Sequence, residues 1–167
     1  PKLKPIPTTF KYVVGIDTGK HTGFAIFDLQ THRLIEVDCL LIHQAMARVK
    51  ALFEQYGDDV YIRIEDARQR KWYGEQDARM KLQGAGSVKR DAVIWEDFLD
   101  DIHAVFEMVA PARGKTKLKD LEFRRLTGWN LKTNEHGRDA AMICWNFNPE
   151  MYIVWKQRTR RLGKKKL

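Results

Sequence analysis

The stretch KYVVGIDTGKHTGFAIFDL, residues 11–29, decides how the fold begins. Its first seven residues are apolar and rich in β-formers, and GFAIFDL at 23–29 has the same character. The polar segment TGKHT between them is rich in turn-forming residues. The pattern predicts an antiparallel hairpin whose first strand ends at Asp17.

Strand and helix signals alternate after this hairpin. RLIEVDCLL at 33–41 suits a third antiparallel strand, and apolar residues recur at helical spacing over 42–56 until Gly57 ends the helix. The remaining predicted elements are a strand over 60–65, a helix over about 87–102, a short strand over 104–110, a basic helix over 115–126 and an apolar helix over 135–147. This order predicts an α/β protein with a mixed five-stranded sheet flanked by helices.

The composition is that of one globular domain. The chain has 167 residues, of which 44% are hydrophobic and 31% charged, so it can bury a core. We expect an irregular, proline-containing leader over 1–9, a domain over 10–149 and a basic tail over 150–167. No apolar run reaches the roughly 20 residues of a membrane helix, and the first residues lack a secretory signal. An intracellular location, cytoplasmic or nucleoid-associated, is therefore expected.

The two cysteines, Cys39 and Cys144, are far apart in the sequence. Their spacing indicates neither a disulfide framework nor a zinc site. We expect both thiols to be reduced and buried.

The net charge of +8 indicates a polyanionic partner, with nucleic acid as the leading candidate. Much of the excess lies in ARQRKW at 67–72, ARGKTKLK at 112–119 and KQRTRRLGKKKL at 156–167. Any one of these runs could be a solvated surface segment, but three of them in one small domain favour phosphate binding.

Two acidic residues stand at the ends of predicted strands. Asp17 ends the first strand and Glu65 ends the fourth. If these strands are parallel neighbours, both carboxylates lie at the sheet edge where α/β proteins place ligand sites. Alternatively, Asp17 could bind its own turn, and Glu65 could pair with Arg63 or Arg68.

The segment EHGRDAAMICW, residues 135–145, supplies two further candidate ligands. His136 and Asp139 are three residues apart and so share one face of the predicted helix. Local chemistry at the helix start, with Thr133 or Asn134 as the cap, explains the same pattern. Carboxylates gathered in one place repel each other, so a joint site with Asp17 would imply Mg²⁺ or Mn²⁺.

Four stretches together resemble RuvC-type Holliday-junction resolvases of the RNase H-like nuclease superfamily. GIDTGKHTGFAIF at 15–27 looks like the family's first hairpin, and IRIE at 62–65 like the strand that ends in its site glutamate. HGRDAAM at 136–142 resembles the helix with the last two metal-site positions, the first of which is Asp or His in the family. FEMVAPARGK at 106–115 is similar to the fifth strand and the basic segment after it. The resemblance runs from about residue 11 to 147.

The resemblance implies an RNase H-like fold and a nuclease with two Mg²⁺ ions, Mn²⁺ being possible, at the scissile phosphate. Asp17 would bridge the ions, Glu65 and Asp139 would complete the site, and His136 would be a ligand or orient the attacking water. Symmetric cutting of a four-way DNA junction implies a homodimer. The apolar stripe around Trp95 and Leu99 is either its interface or part of the core.

Candidate DNA contacts follow from the basic runs and their aromatic residues. They are Arg68, Arg70, Lys71, Trp72, Tyr73, Lys115, Lys117 and Lys119. The family often places a phenylalanine shortly after the strand-end glutamate, whereas this chain has Trp72 and Tyr73 later, which puts the cleavage-sequence preference in doubt. The lysines could instead form a solvated helix face, and the aromatic pair could cover the sheet.

Three other functions fit parts of the pattern. The chain could be an RNase H-like nuclease for RNA/DNA hybrids or flaps, because the metal cluster does not determine the substrate shape. It could bind branched DNA without cutting it. It could also be an actin-like phosphotransferase, since GIDTGKHTG resembles that superfamily's phosphate loop, but such enzymes need two copies of the domain.

Overall fold

The computed structural model describes residues 9–69, 78–111 and 117–153, without the side chains of 78–85 and 88. The elements in chain order are β1 (Tyr12–Asp17), β2 (His21–Asp28), β3 (Arg33–Leu41), α1 (Ile42–Tyr56), β4 (Val60–Glu65), α2 (Ala78–Asp101), β5 (Val105–Val109), α3 (Asp120–Thr127) and α4 (Glu135–Cys144). Short 3₁₀ turns follow α1 and β4.

The five strands form one sheet in the order β3-β2-β1-β4-β5. β1, β2 and β3 are antiparallel neighbours, whereas β4 pairs parallel with both β1 and β5. The predicted mixed five-stranded sheet flanked by helices is therefore confirmed, and its order and strand directions are consistent with the predicted RNase H-like fold. The parallel pairing of β1 with β4 brings the ends of these two strands to the same edge.

The two faces of the sheet carry separate hydrophobic clusters. Val14 and Ile16 of β1 pack with residues of α1 and α2 on one face. Val13 of the same strand packs with Ala140 and Cys144 of α4 on the other. This alternation follows from the two-residue period of a strand. Asp17 is four residues after Val13 on the same strand, so its side chain also lies on the α4 face.

The apolar stripe on α2 belongs to the core of this chain. Trp95 and Leu99 have no exposed surface and pack against the central strands. Of the two interpretations of this stripe, the core one is confirmed, and a dimer interface built on these two side chains is wrong because they are already covered.

Helix boundaries differ from the predicted ones for local reasons. α2 begins at Ala78, not near 87, although its first part contains glycines that weaken the helix signal. α3 begins at Asp120, since Lys119 has an extended backbone. α4 ends at Cys144, because Trp145 is extended and Asn146 has a positive φ of 56°.

The predicted leader and tail lie mostly outside the described residues. At the N-terminal side, Phe10 is already buried. At the other end, Tyr152 contacts the ring of Phe147 and Ile153 packs against the α4-side cluster. The division into leader, domain and tail stays a prediction.

The two cysteines differ in burial. Both are free, and Cys144, the last residue of α4, is fully buried on the face of the helix that packs against the sheet. The expectation of burial is wrong for Cys39, which is only half-buried because β3 is an edge strand. In the described part of the chain, no helix is both long and apolar enough to cross a lipid bilayer.

Candidate active site

Helix α4 lies unusually close to β1 and β2 because two glycines face it. A Cβ atom on Gly15 would collide with the carbonyl oxygen of Ala140, and one on Gly23 with the carbonyl oxygen of His136. Gly23 is the cross-strand neighbour of Asp17. The start of α4 therefore rests directly on the strand ends, which places its side chains beside Asp17.

The first turn of α4 is fixed by its cap. The Asn134 side chain accepts a hydrogen bond of 2.9 Å from the backbone N–H of Gly137. Asn134 is therefore the cap, as one of the two predicted alternatives has it, and Thr133 is not. The helix begins at Glu135, so His136 and Asp139 lie in its first turns and on the same side.

Asp17 and His136 form a direct pair. The Nδ1 atom of His136 lies 3.1 Å from Oδ2 of Asp17, although the two residues are 119 positions apart. The Asp17 side chain is 14% exposed and that of His136 is 38% exposed. The Asp17 carboxylate thus forms its hydrogen bond with α4. The predicted alternative, in which this carboxylate binds the backbone of the turn that follows β1, is not what the structure shows.

The pKa of the Asp17 carboxyl is raised above its ordinary value. Burial is the main cause, and the negative charge of Asp139 adds to it, while the hydrogen bond from His136 and the charge of Lys117 act in the opposite direction. Asp17 and Asp139 are therefore close enough to repel each other. A cation between them would relieve this repulsion.

Glu65 ends the strand beside Asp17. Ile64 of β4 is level with Ile16 of β1 in parallel register, so the next residues of the two strands, Glu65 and Asp17, are also level. The hydroxyl of Thr18 donates a hydrogen bond of 3.2 Å to the Glu65 carbonyl oxygen and ties the two strand ends together. The expectation that Asp17 and Glu65 share one edge of the sheet is confirmed.

The arginines that could have paired with Glu65 have other partners. Arg63 pairs with Glu107 and donates a hydrogen bond of 2.7 Å to the Ile143 carbonyl. Arg68 pairs with Asp66 at 2.7 Å and with Glu96 at 2.7 Å.

Asp139 pairs with a lysine from the segment before α3. The ammonium of Lys117 lies 3.3 Å from Oδ2 of Asp139 and 3.3 Å from Oε2 of Glu135. Burial alone would lower the pKa of Lys117, but the charges of Asp139 and Glu135 outweigh it and raise the pKa above its ordinary value. Lys117 therefore places a positive charge among the acidic side chains.

Arg138 holds this segment against α4. Its Nε–H donates a hydrogen bond of 2.9 Å to the Leu118 carbonyl, and its Nη1 group donates to the carbonyl and hydroxyl of Thr133 at 3.0 and 3.2 Å. The sequence did not single out Arg138, since an arginine between two candidate ligands carries no signal of its own. The paired small residues Gly15 and Gly23 were a usable signal, because glycines within strands mark close backbone approach.

The donor types suit a hard divalent cation, since three carboxylates and one imidazole offer mainly oxygen. Within residues 9–69, 78–111 and 117–153, however, no three His, Cys, Asp or Glu side chains stand close enough to hold a metal ion together as they are arranged here. Asp17 is turned to His136, and Asp139 to Lys117. The residues therefore fit the ion by the chemistry of their donor atoms, and binding would require their side chains to rearrange.

The candidate DNA contacts have different surroundings. Lys117 joins the acidic cluster, Lys119 is exposed before α3, and Arg68 is engaged by two acidic side chains. The others, Arg70, Lys71, Trp72, Tyr73 and Lys115, lie outside the described residues. DNA contact by any of these residues stays a prediction.

Comparisons with known proteins leave the chain without an assigned family. No family model and no curated protein match it. One solved structure that it is similar to is the crystal structure of the large terminase nuclease from thermophilic phage G20c, with 22% sequence identity and a TM-score of 0.25. The match covers 57% of this chain and 57% of that one. A similarity of this size assigns neither a family nor an activity.

Proposed function

We propose that this protein is a divalent-metal-dependent, structure-selective endonuclease that resolves four-way DNA junctions in recombination and repair. The observation that carries the proposal is the convergence of Asp17, Glu65 and the start of α4 at one edge of the sheet. The four side chains named from the RuvC-like motifs come from distant segments, and Asp17 and His136, which pair directly, are 119 positions apart. Independent structural roles would not require β1, β4 and the start of α4 to carry these residues to the same edge of the sheet.

Asp17, Glu65, His136 and Asp139 are the residues that would hold Mg²⁺ or Mn²⁺. When bound, two such ions would activate a water molecule and stabilise the leaving 3′ oxygen of the cleaved phosphodiester. The burial of Asp17 and its repulsion from Asp139 make this edge favourable for cations, since a cation lowers the cost of keeping both groups ionised.

His136 is suited to orient or deprotonate the attacking water. Its Nδ1 is engaged by the carboxylate of Asp17, which favours the tautomer with the proton on Nδ1 and leaves the lone pair on Nε2. The ring is 38% exposed, so Nε2 can reach solvent and substrate. In this role Asp17 orients the imidazole as well as contributing an oxygen ligand.

Branched DNA is the proposed partner, and a homodimer is the proposed active form. The net charge of +8 supports binding to a polyanion. Cutting two strands of a junction symmetrically requires two active sites, which a symmetric dimer would supply. The proposed place of work is inside the cell, in the cytoplasm or at the nucleoid.

The experiment that tests the function compares labelled substrates with and without Mg²⁺. Four-way junctions, flaps, linear duplexes and RNA/DNA hybrids are incubated with the protein and with Asp17→Asn. We expect Mg²⁺-dependent cutting of the junction in preference to the other substrates, and no cutting by the variant. Faster cutting of hybrids or flaps would favour the other nuclease activities. Tight junction binding without cutting, unaffected by metal, would instead identify a binding module.

A further inference from the structure

We propose that Lys117 controls metal entry to the site. Its ammonium group holds Asp139 before the cation binds, yields that carboxylate to the cation, and then contacts the substrate phosphate. This inference rests on the proposed nuclease function and adds to it a residue that competes with the metal and later assists the substrate. The sequence predicted only a phosphate contact for Lys117.

The ammonium of Lys117 pairs with the carboxylate of Asp139, one of the candidate metal ligands. Lys117 Nζ lies 3.3 Å from Oδ2 of Asp139 and 3.3 Å from Oε2 of Glu135. An ammonium at this distance weakens the binding of a divalent cation to the same carboxylate, because the two positive charges repel. Lys117 and the cation therefore compete for Asp139.

The position of Lys117 is built into the fold. The side chain of Arg138, the neighbour of Asp139 on α4, is only 14% exposed. Its Nε–H donates a hydrogen bond of 2.9 Å to the carbonyl of Leu118, the neighbour of Lys117. The backbone that carries the lysine is thus fastened to the helix that carries the carboxylate. The two side chains stay within reach of each other through this connection.

The pair is weak enough to be exchanged. The Lys117 side chain is 59% exposed and that of Asp139 is 26% exposed. Ion pairs with this degree of exposure contribute little to stability, so a divalent cation can displace the ammonium. The flexible lysine stem then allows the displaced charge to reach a phosphate bound next to the cation.

The test measures metal binding and DNA cleavage separately in the full chain. Mn²⁺ is titrated calorimetrically without DNA into the wild-type protein and into Lys117→Met, Lys117→Arg and Lys50→Met. Lys50 is exposed on α1, on the opposite face of the sheet, so its variant controls for the loss of one positive charge. Cleavage of the four-way junction is then measured at saturating Mg²⁺.

We expect Lys117→Met to bind Mn²⁺ about tenfold more tightly, as removal of a unit charge about 6 Å from a divalent ion in water predicts. Lys117→Arg and Lys50→Met should stay within about twofold of wild type. Cleavage by Lys117→Met should nevertheless fall about tenfold, since the phosphate loses its contact. A structural role alone would not tighten metal binding while slowing cleavage.

Unchanged or weaker Mn²⁺ binding by Lys117→Met would overturn the competition with the metal. Tighter binding with unchanged cleavage would overturn the phosphate contact. Failure of the proposed function has a different signature: the wild-type protein would then cut none of the DNA substrates, whatever its Mn²⁺ affinity. The two failures are therefore distinguishable.

Discussion

Replacement of Gly23 by alanine should move the start of α4 and disable the site without altering any candidate ligand. Gly23 lies in a strand and has no positive φ, so alanine is compatible with its backbone. The added Cβ would instead collide with the His136 carbonyl group, whose carbon would be 2.5 Å away, and would lie 3.1 Å from Cβ of Ala140. The effect is therefore steric and is directed at α4.

The size of the displacement follows from these distances. Ordinary van der Waals contact begins at 3.4 Å, so the His136 carbonyl carbon must retreat from 2.5 Å by at least about 0.9 Å, and the carbonyl oxygen, which is nearer still, by more. The hydrogen bond between His136 and Asp17 is 3.1 Å long and is lost beyond about 3.5 Å. Overpacking of this kind costs about 1–3 kcal/mol of stability, and a 1 Å misplacement of a catalytic group costs about 100-fold in rate.

The assay combines urea unfolding with junction cleavage in Mg²⁺. Gly86→Ala on α2 is the matched control, because its Cβ meets nothing within 4 Å and alanine favours the helix by about 0.5–1 kcal/mol. We expect Gly23→Ala to remain folded, with a lower unfolding midpoint and about 100-fold slower cleavage, and Gly86→Ala to cleave normally. Wild-type stability and rate in Gly23→Ala would refute the argument that α4 is positioned by this contact.

The other predictions concern charge and the core. Asp17→Asn should abolish cleavage in the junction assay while keeping junction affinity in a gel-shift assay, because it removes an oxygen of a proposed metal ligand with little change of shape. In EDTA the same variant should be more stable than wild type at pH 7.5. Because the pKa of Asp17 is raised in the folded protein, its contribution to stability is fully present below the ordinary value of 3.8 and is lost as the pH rises through the raised value. The variant lacks this carboxylate, so its advantage in unfolding midpoint over wild type should shrink as the pH falls towards 3.8. Junction affinity should fall steeply between low and moderate salt. An affinity that does not change with salt concentration would contradict a phosphate-dominated interface. Trp95→Ala should cost about 3–5 kcal/mol in chemical unfolding, since this side chain is fully buried, whereas a change below about 1 kcal/mol would contradict its place in the core.

Elements with a clear local signal were predictable from the sequence. The β1–β2 hairpin, β3, α1 and β4 were expected within a few residues of their observed bounds, because apolar periodicity and turn residues act over short distances. Gly57 ends α1 as predicted, and Asn134 caps α4 as one of two predicted alternatives. The position of Asp17 and Glu65 at strand ends also follows from these local patterns.

The arrangement of the site required the tertiary structure. The sequence could state only conditionally that β1 and β4 are parallel neighbours, since pairing between segments more than 40 residues apart depends on the intervening crossover and on helix packing. The choice of the core face for Trp95 and the pairing of Asp139 with Lys117 likewise depend on contacts between distant segments.

The sequence by itself thus determined the strands, most of the helices and the chemical character of the candidate ligands, because side-chain periodicity and residue type are local properties. Only the tertiary structure decided which ligands meet and how closely. The contact of α4 with Gly15 and Gly23 sets the distance between His136 and Asp17, and backbone contact between distant segments leaves no periodic pattern in either of them.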